Sequence, residues 1–363
     1  MLKPNLREGA DPPPWTSGQD PFDSTSSSGV KSLLTMLSGV KSACRRNTGI
    51  PQMPLLYNEP CFLDHETGPH PECSARIRGI APRLAETGLA ARCVRPKWEP
   101  VSRKRLGRVH SLRYADEVWA LAKAGGGEWD SETIVSPASY DVAMLAAGCT
   151  CDAAERLLRG EDKRALCLVR PPGHHSIFKQ AMGFCLFNNV AIAAKMVTEE
   201  LGLDRVLIVD FDIHHGNGTQ DAFWEDPRVG FLSIHRSPFY PNSGYADETG
   251  SGPGLGTTVN LPIAYGTSRR DYLGAFNQAL DRFAAKMKPQ LVFVSAGFDA
   301  HRADPIGDLG LETEDFTTLT DAVLDVADQY AQGRVVSVLE GGYNPPVVAD
   351  CVETHLRQMV ERT

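Results

Sequence analysis

Residues 206–219 read "VLIVDFDIHHGNGT". Four apolar residues run straight into Asp210, Asp212, His214 and His215. A short run of Val, Leu and Ile is the pattern of a strand buried on both faces. Ionised groups at the end of such a strand are costly unless they are paired or ligated. In an extended chain alternate residues share a face, so Asp210, Asp212 and His214 point to one side. Carboxylates and an imidazole converging on one point form the donor set of a divalent metal. A solvated turn is the competing reading, and it gives no reason for the alternation.

The pattern repeats outward from this stretch. Strand-like runs are "PLLYN" (54–58), "ALCLV" (165–169), "VGFLSIH" (229–235), "QLVFVSAG" (290–297) and "VVSVLEGG" (335–342). Amphipathic helical stretches, among them 184–201, 268–287 and 313–331, separate several of them. Buried strands alternating with helices predict a three-layer α/β/α fold around a mainly parallel sheet. No internal repeat and no long linker divides residues 53–363, so this segment reads as a single domain. Residues 1–52 differ: "DPPPWTSGQDPFDSTSSSG" has the composition of a disordered extension, and "VKSLLTMLSGVKSACRR" comes next, with near-helical apolar spacing.

Composition bounds the function. The chain has 363 residues, 42% hydrophobic and 23% charged, as in an ordinary globular protein. Its net charge of −8 argues against direct nucleic-acid binding and suits cationic substrates. No apolar run reaches the length of a membrane span, and residues 1–20 lack the apolar segment of a secretory signal. Nine cysteines without a CxxC pair read as buried thiols of a reducing compartment, so a cytoplasmic location is expected, or a nuclear one in a eukaryote.

The loops at the strand ends carry the chemistry. They are "RPPGHH" (170–175), "DFDIHHGN" (210–217), "HRSPFYPNSG" (235–244), "GFDAHRADP" (297–305) and "EGGYN" (340–344). Open α/β sheets place their sites outside the carboxyl ends of the strands, where such loops meet. Asp212 and His214 need a third ligand to leave a catalytic metal one open position, and Asp299 is the best placed. Asp304, next to Pro305, reads as a turn-fixing residue. Gly297 is expected to let the chain turn before Asp299. His174 and His175 are either metal ligands or acid/base groups. Asp210 and Asn217 are available to fix their tautomers. Tyr343 offers a phenol to a developing oxyanion, with Gly341 and Gly342 permitting close backbone approach. Phe184 and Tyr240 suit the walls of a narrow channel.

Taken together, "RPPGHH", "MGFCLFNN" (182–189), "DFDIHHGNGTQ" (210–220), "SIHR" (233–236), "GFDAHRADP" and "LEGGYN" (339–344) resemble the histone deacetylase and acetylpolyamine amidohydrolase family, over roughly residues 54–350. "GNGTQ" and "LEGGYN" look like its class II branch. The resemblance implies an arginase-like α/β fold and one zinc ion held by Asp212, His214 and Asp299. It implies His175 as general base, oriented by Asn217 where class I members have Asp. His174, paired to Asp210, acts electrostatically, and Tyr343 donates to the oxyanion. One class II branch has His in place of this Tyr and is poorly active on acetyl-lysine; Tyr343 thus argues for a working deacetylase. Phe184, Tyr240 (usually Phe), Gly183 and Ile306 would line the acyl-lysine channel. Structural potassium would use Asp210, Asp212, His214 and Ser233–Ile234, largely through backbone oxygens, and a second potassium would lie near Phe223, Asp226 and Val229. A polyamine-selective member has Glu where this chain has Ile306, which favours acetyl-lysine in a protein or peptide over an acetylpolyamine. Asp130 and Glu132 read as solvated loop charges that could also line the rim. An arginase-type two-manganese hydrolase, lacking enough bridging carboxylates, fits less well. A silent acyl-lysine reader or scaffold has no need of His174, His175 and Tyr343 together. Zinc versus ferrous iron and the oligomeric state are left open.

Overall fold

The computed structural model describes residues 53–362; the N-terminal stretch read as an extension lies outside the described residues. Along the described chain the strands are β1 (Leu55–Tyr57), β2 (Gly127–Glu128), β3 (Ile134–Val135), β4 (Arg164–Cys167), β5 (Val206–Asp210), β6 (Val229–Arg236), β7 (Thr258–Ile263), β8 (Leu291–Ala296) and β9 (Val335–Leu339). Seven of them form one sheet in the order β1-β4-β9-β8-β5-β6-β7. Every neighbouring pair in it is parallel. β2 and β3 make a separate antiparallel pair.

Every residue of β5, β8 and β9 is buried, odd and even positions alike. Both faces of the sheet are therefore covered, which is why these strands read as unbroken apolar runs. β7, an edge strand only half-buried and carrying Pro262, escapes that signature and is absent from the sequence reading. The helix read over 184–201 spans Asn189–Glu199: Asn188 caps it, its side chain accepting from Ala191 N, and residues 184–188 belong to a loop. Helices Arg269–Met287 and Thr313–Tyr330 match their predicted stretches to within a residue. Ser139–Arg159, an Ala-rich helix buried along much of its length, packs on Asn189–Glu199 and β4.

Because the sheet is parallel, the loops after β4, β5, β6, β8 and β9 leave from one edge. Register keeps them level: Asp210 pairs with Ser233 on β6 and Ser295 on β8. Directly behind lies an aromatic cluster, with Phe298 and Phe316 ring centroids 5.1 Å apart and Phe211 6.3 Å from Phe298. Phe211 and Phe298 each precede a candidate metal ligand, so burying them turns Asp212 and Asp299 the other way.

Candidate active site

The strand ends at Asp210, earlier than an extended reading to His214 requires. The convergence is made instead by side chains bonding the backbone two residues on: Asp212 N donates to Asp210 Oδ1 at 3.2 Å and His214 N to Asp212 Oδ1 at 2.8 Å. Asp210 leaves the cluster and accepts from His174 Nδ1 at 3.0 Å. Asp299 takes its place beside the other two. Among the described residues, Asp212, His214 and Asp299 offer donor atoms within 4.8 Å of one another, all buried. His214 Nδ1 lies 3.0 Å from Asp212 Oδ1 and 3.2 Å from Asp299 Oδ2. Only the first contact has hydrogen-bond geometry; Asp299 Oδ2 is buried without a hydrogen-bond partner among the described residues.

Two glycines leave the space around these oxygens. A Cβ on Gly341 would overlap both Asp299 Oδ2 and Asp212 Oδ2, and one on Gly297 would overlap Asp212. Gly297, which ends the strand run before Asp299, also allows this close approach. Gly341 N donates to Asp212 Oδ2 at 2.7 Å, and Ile213 N to Asp299 Oδ1 at 2.9 Å. Burial, with the Asp212 charge beside it, pushes the Asp299 carboxyl up to about 7. His214 is carried up to about 9, the two carboxylates outweighing its burial. Two buried carboxylates facing one imidazole carry more negative charge than that imidazole neutralises, and such a site favours a cation.

The histidine pair sits against this cluster, the His174 and His175 rings 4.0 Å apart. His175 Nδ1 bonds Asn217 Oδ1 at 2.8 Å. Asn217 Nδ2 donates to His175 O and to Met182 Sδ, which fixes the amide and makes Oδ1 the acceptor. His175 therefore carries its proton on Nδ1, leaving a lone pair on Nε2. Burial and the neighbouring His174 and His214 hold its pKa well below the usual imidazole value, so it is neutral. For His174, burial opposes charge, but Asp210, Asp212 and Glu340 together carry its pKa up to about 10.

A pocket of about 140 Å³ opens above these groups, bounded by His175, His214, Tyr343, Phe184, Tyr240 and Ile306, with Gly183, Phe239 and Glu132 completing it. All four residues assigned to a channel in the sequence thus lie on one cavity. The Phe184 and Tyr343 rings meet edge-on at 5.6 Å, and Tyr240 stands edge-on to His175 at 5.2 Å. Burial pushes the Tyr343 phenol well up, so it stays protonated. Asp304 fixes a turn, accepting from Ile306 N and Gly307 N at 2.9 Å each, and its other oxygen accepts from Tyr343 N at 2.6 Å. Asp130 bonds the backbone of its own turn, at Glu132 N and Thr133 N. Two larger surface hollows, about 520 and 630 Å³, include paired charges in their linings, such as Arg105 with Glu155 and Glu200 and Asp226 with Lys195 and Arg228.

Several supporting residues carry no assignment in the sequence reading. Glu340 accepts from Gly173 N at 2.7 Å, His174 N at 3.2 Å and Ser295 Oγ at 3.2 Å, holding the histidine loop. Its signal is like that of Asp210, an acid at the end of a buried apolar run. Below it, burial resists ionisation of Glu72, but Arg170 and His65 hold that carboxyl well below its usual range. Arg76 bonds Glu72, Gly342 O and Glu340 O, with its guanidinium 4.9 Å from the Tyr343 ring centroid. Phe239 stacks on His214, rings 5.2 Å apart and 16° from parallel. Arg76 sits in an unremarkable "ARIR" turn and Phe239 in a Pro-rich loop, so neither has a local signal.

Buried carboxylates and an imidazole thus converge at the carboxyl edge of a parallel sheet, a donor set of the kind that can hold a divalent metal. The model of the histone deacetylase domain matches residues 70–359, and the chain belongs to the histone deacetylase and acetylpolyamine amidohydrolase family. It is a hydrolase acting on amides. It is 37% identical over 283 residues to a histone deacetylase-like amidohydrolase of Pseudomonas aeruginosa, covering 77% of this chain and 73% of that one. To histone deacetylase 15 of Arabidopsis thaliana it is 38% identical over 301 residues, 82% of this chain but 53% of the plant protein. An uncharacterized protein of Synechocystis is 39% identical over 303 residues, 82% of this chain and 97% of that protein. A crystal structure of the HDA15 HD domain superposes with a TM-score of 0.81 at 35% identity, covering 86% of this chain and 89% of that one.

Proposed function

We propose that the chain is a zinc-dependent deacetylase, class II-like, hydrolysing the acetamide of acetyl-lysine in proteins or peptides. The observation that carries this reading is Asp299 Oδ2, a buried carboxylate oxygen without a hydrogen-bond partner among the described residues, set against His214 and Asp212 at the foot of the pocket. The spacing suits the metal: ligands about 2.0–2.1 Å from a tetrahedral zinc stand about 3.3 Å apart. The corresponding separations here are 3.0 and 3.2 Å. A zinc ion on Asp212, His214 and Asp299 supplies Lewis acidity to the acetamide carbonyl and a water of lowered pKa.

The chain's own residues do the rest. His175 takes the proton of the attacking water at Nε2 and returns it to the leaving amine, while Asn217 holds the ring without adding charge. His174, bonded to Asp210, keeps a positive charge beside the reaction. Tyr343 donates its O–H to the carbonyl oxygen as that oxygen becomes negative. Phe184 and Tyr240 flank the unbranched lysine stem, with Gly183 and Ile306 beside them. Structural potassium belongs to the same reading, at Asp210, Asp212, His214 and the Ser233–Ile234 backbone. At the second site, Phe223, Asp226 and Val229, the Asp226 carboxylate is engaged by Lys195 and Arg228, so an ion there would rely on backbone oxygens. The eight described cysteines are free thiols, in keeping with a cytoplasmic or nuclear location, and among the described residues no helix is long and apolar enough to cross a membrane. We also propose that residues 1–52 stand outside the catalytic domain.

Acetate release from an acetyl-lysine peptide is the test. Chelation is expected to abolish it and zinc to restore it; release that survives complete metal removal overturns the reading. Glu132 at the pocket favours a second substrate, an acetylpolyamine, whose charge a carboxylate would attract. A higher kcat/KM for acetylspermidine than for the peptide selects that alternative. Tight peptide binding without acetate release would mark a reader instead.

A further inference from the structure

The guanidinium of Arg236 lies between two aromatic rings, its centre 4.3 Å from the Phe239 centroid and 4.6 Å from the Tyr265 centroid. It is half-buried and has no carboxylate partner within 4 Å among the described residues. Its Nη1 donates to Gly307 O at 3.0 Å. Its backbone N–H donates to Ile213 O at 2.8 Å, one residue before His214. A cation placed like this is held by ring faces and one carbonyl, not by charge pairing.

What Arg236 connects gives it meaning. Phe239 stacks on His214 and also lines the pocket. Gly307 comes directly after Ile306, another pocket residue, and both backbone N–H groups are held by Asp304, which also accepts from Tyr343 N. Arg236 therefore closes a circuit running from His214 through Phe239, Gly307 and Asp304 to Tyr343. Without it, the loop after β6 and the loop after β8 lose a direct tie across one side of the pocket.

We infer that Arg236 is a positioning and specificity-determining residue, clamping Phe239 against the Ile306 loop so that the pocket admits only a straight, unbranched stem. Lysine cannot reproduce the planar contact with two rings and a directed hydrogen bond. The inference rests on the proposed deacetylase reading, since that reading supplies the stem.

The experiment compares wild type, Arg236→Lys, Tyr265→Ala and Tyr265→Phe on two peptides. One carries acetyl-lysine; the other carries an acetylated side chain with a methyl branch next to the amide nitrogen. In Arg236→Lys and Tyr265→Ala, KM for the acetyl-lysine peptide is expected to rise about fivefold with kcat within about twofold, the scale of one or two lost cation–π contacts. The branched-to-straight ratio of kcat/KM is expected to rise by a similar factor. Tyr265→Phe keeps the ring and should keep the wild-type ratio. A general loosening of the fold lowers both substrates together and leaves the ratio unmoved. Wild-type ratios in Arg236→Lys and Tyr265→Ala overturn the inference; if Arg236→Lys does not fold, Tyr265→Ala alone decides, because that ring is 65% exposed. Failure of the wild type to release acetate from the acetyl-lysine peptide would instead sink the deacetylase reading.

Discussion

Tyr343 illustrates how a single side chain is prepared by its surroundings. Burial, with Asp299 and Asp212 adding to it, raises its phenol pKa well above the usual value despite Arg76 beneath the ring. It therefore remains a donor at neutral pH. Its backbone is pinned by Asp304 and its ring by the edge of Phe184, so the O–H needs little reorganisation to meet a developing negative charge. Tyr343→Phe keeps the packing and removes only that donor. We expect kcat to fall by about 10²–10³, or about 3–4 kcal/mol, with KM within about twofold. Steady-state kinetics on the acetyl-lysine peptide, beside an unchanged circular dichroism spectrum, checks this; an unaltered kcat removes Tyr343 from the chemistry. The same surroundings separate what the sequence discloses from what it hides. Asp212, His214 and Asp299 are legible because each is an ionisable group at or near the end of an apolar run. Phe239 and Arg76 are not, because stacking on His214 and bonding the backbone at residues 340 and 342 depend on chain neighbours far away in sequence.

Helices and strands divide in the same way. Runs buried on both faces announce themselves, and six of the seven strands of the main sheet are legible with small errors at their ends. The seventh, β7, is half-buried at the edge, and its polar alternation with Pro262 resembles a loop. Helix beginnings are set by caps that pattern alone locates poorly. Asn188 starts its helix five residues later than the apolar periodicity of 184–201 suggests, which frees Phe184, with φ of 68°, to turn into the pocket. Ser268 shows what such a cap contributes where no ligand is involved. It accepts from Asp271 N at 3.1 Å and opens the helix Arg269–Met287, which packs on β6 and β7. Ser268→Ala is expected to cost about 1 kcal/mol of stability, read as a lower urea midpoint. The same variant should leave kcat/KM for the acetyl-lysine peptide unchanged, since the cap touches no pocket residue. A loss of activity without a loss of stability would contradict this division between scaffold and site.

At the level of the molecule, the same burial that tunes the site sets its response to acid. His110 and His355 are buried, and burial lowers each to about 4. His110 is bonded as a neutral ring, between Ile177 O and Asn188 N, and His355 lies between the hydroxyls of Thr320 and Ser337, which suit a neutral ring. In the unfolded chain the same rings titrate near 6.5. Above that pH neither state takes up a proton and neither ring contributes a slope. As the pH falls from about 6.5 toward about 4, the unfolded chain binds protons that the fold refuses, so stability falls. Each ring accounts for up to about 3 kcal/mol over that window. His355→Gln removes one of the two protons at issue. The variant is expected to be less stable at neutral pH, having lost a fitted pair of hydrogen bonds, yet to show a shallower decline between about pH 6.5 and 5, where most carboxylates are still ionised. Urea unfolding across that range measures the slope directly. A decline as steep as that of the wild type would mean that His355 is already protonated in the fold, and that its burial does not set the acid response.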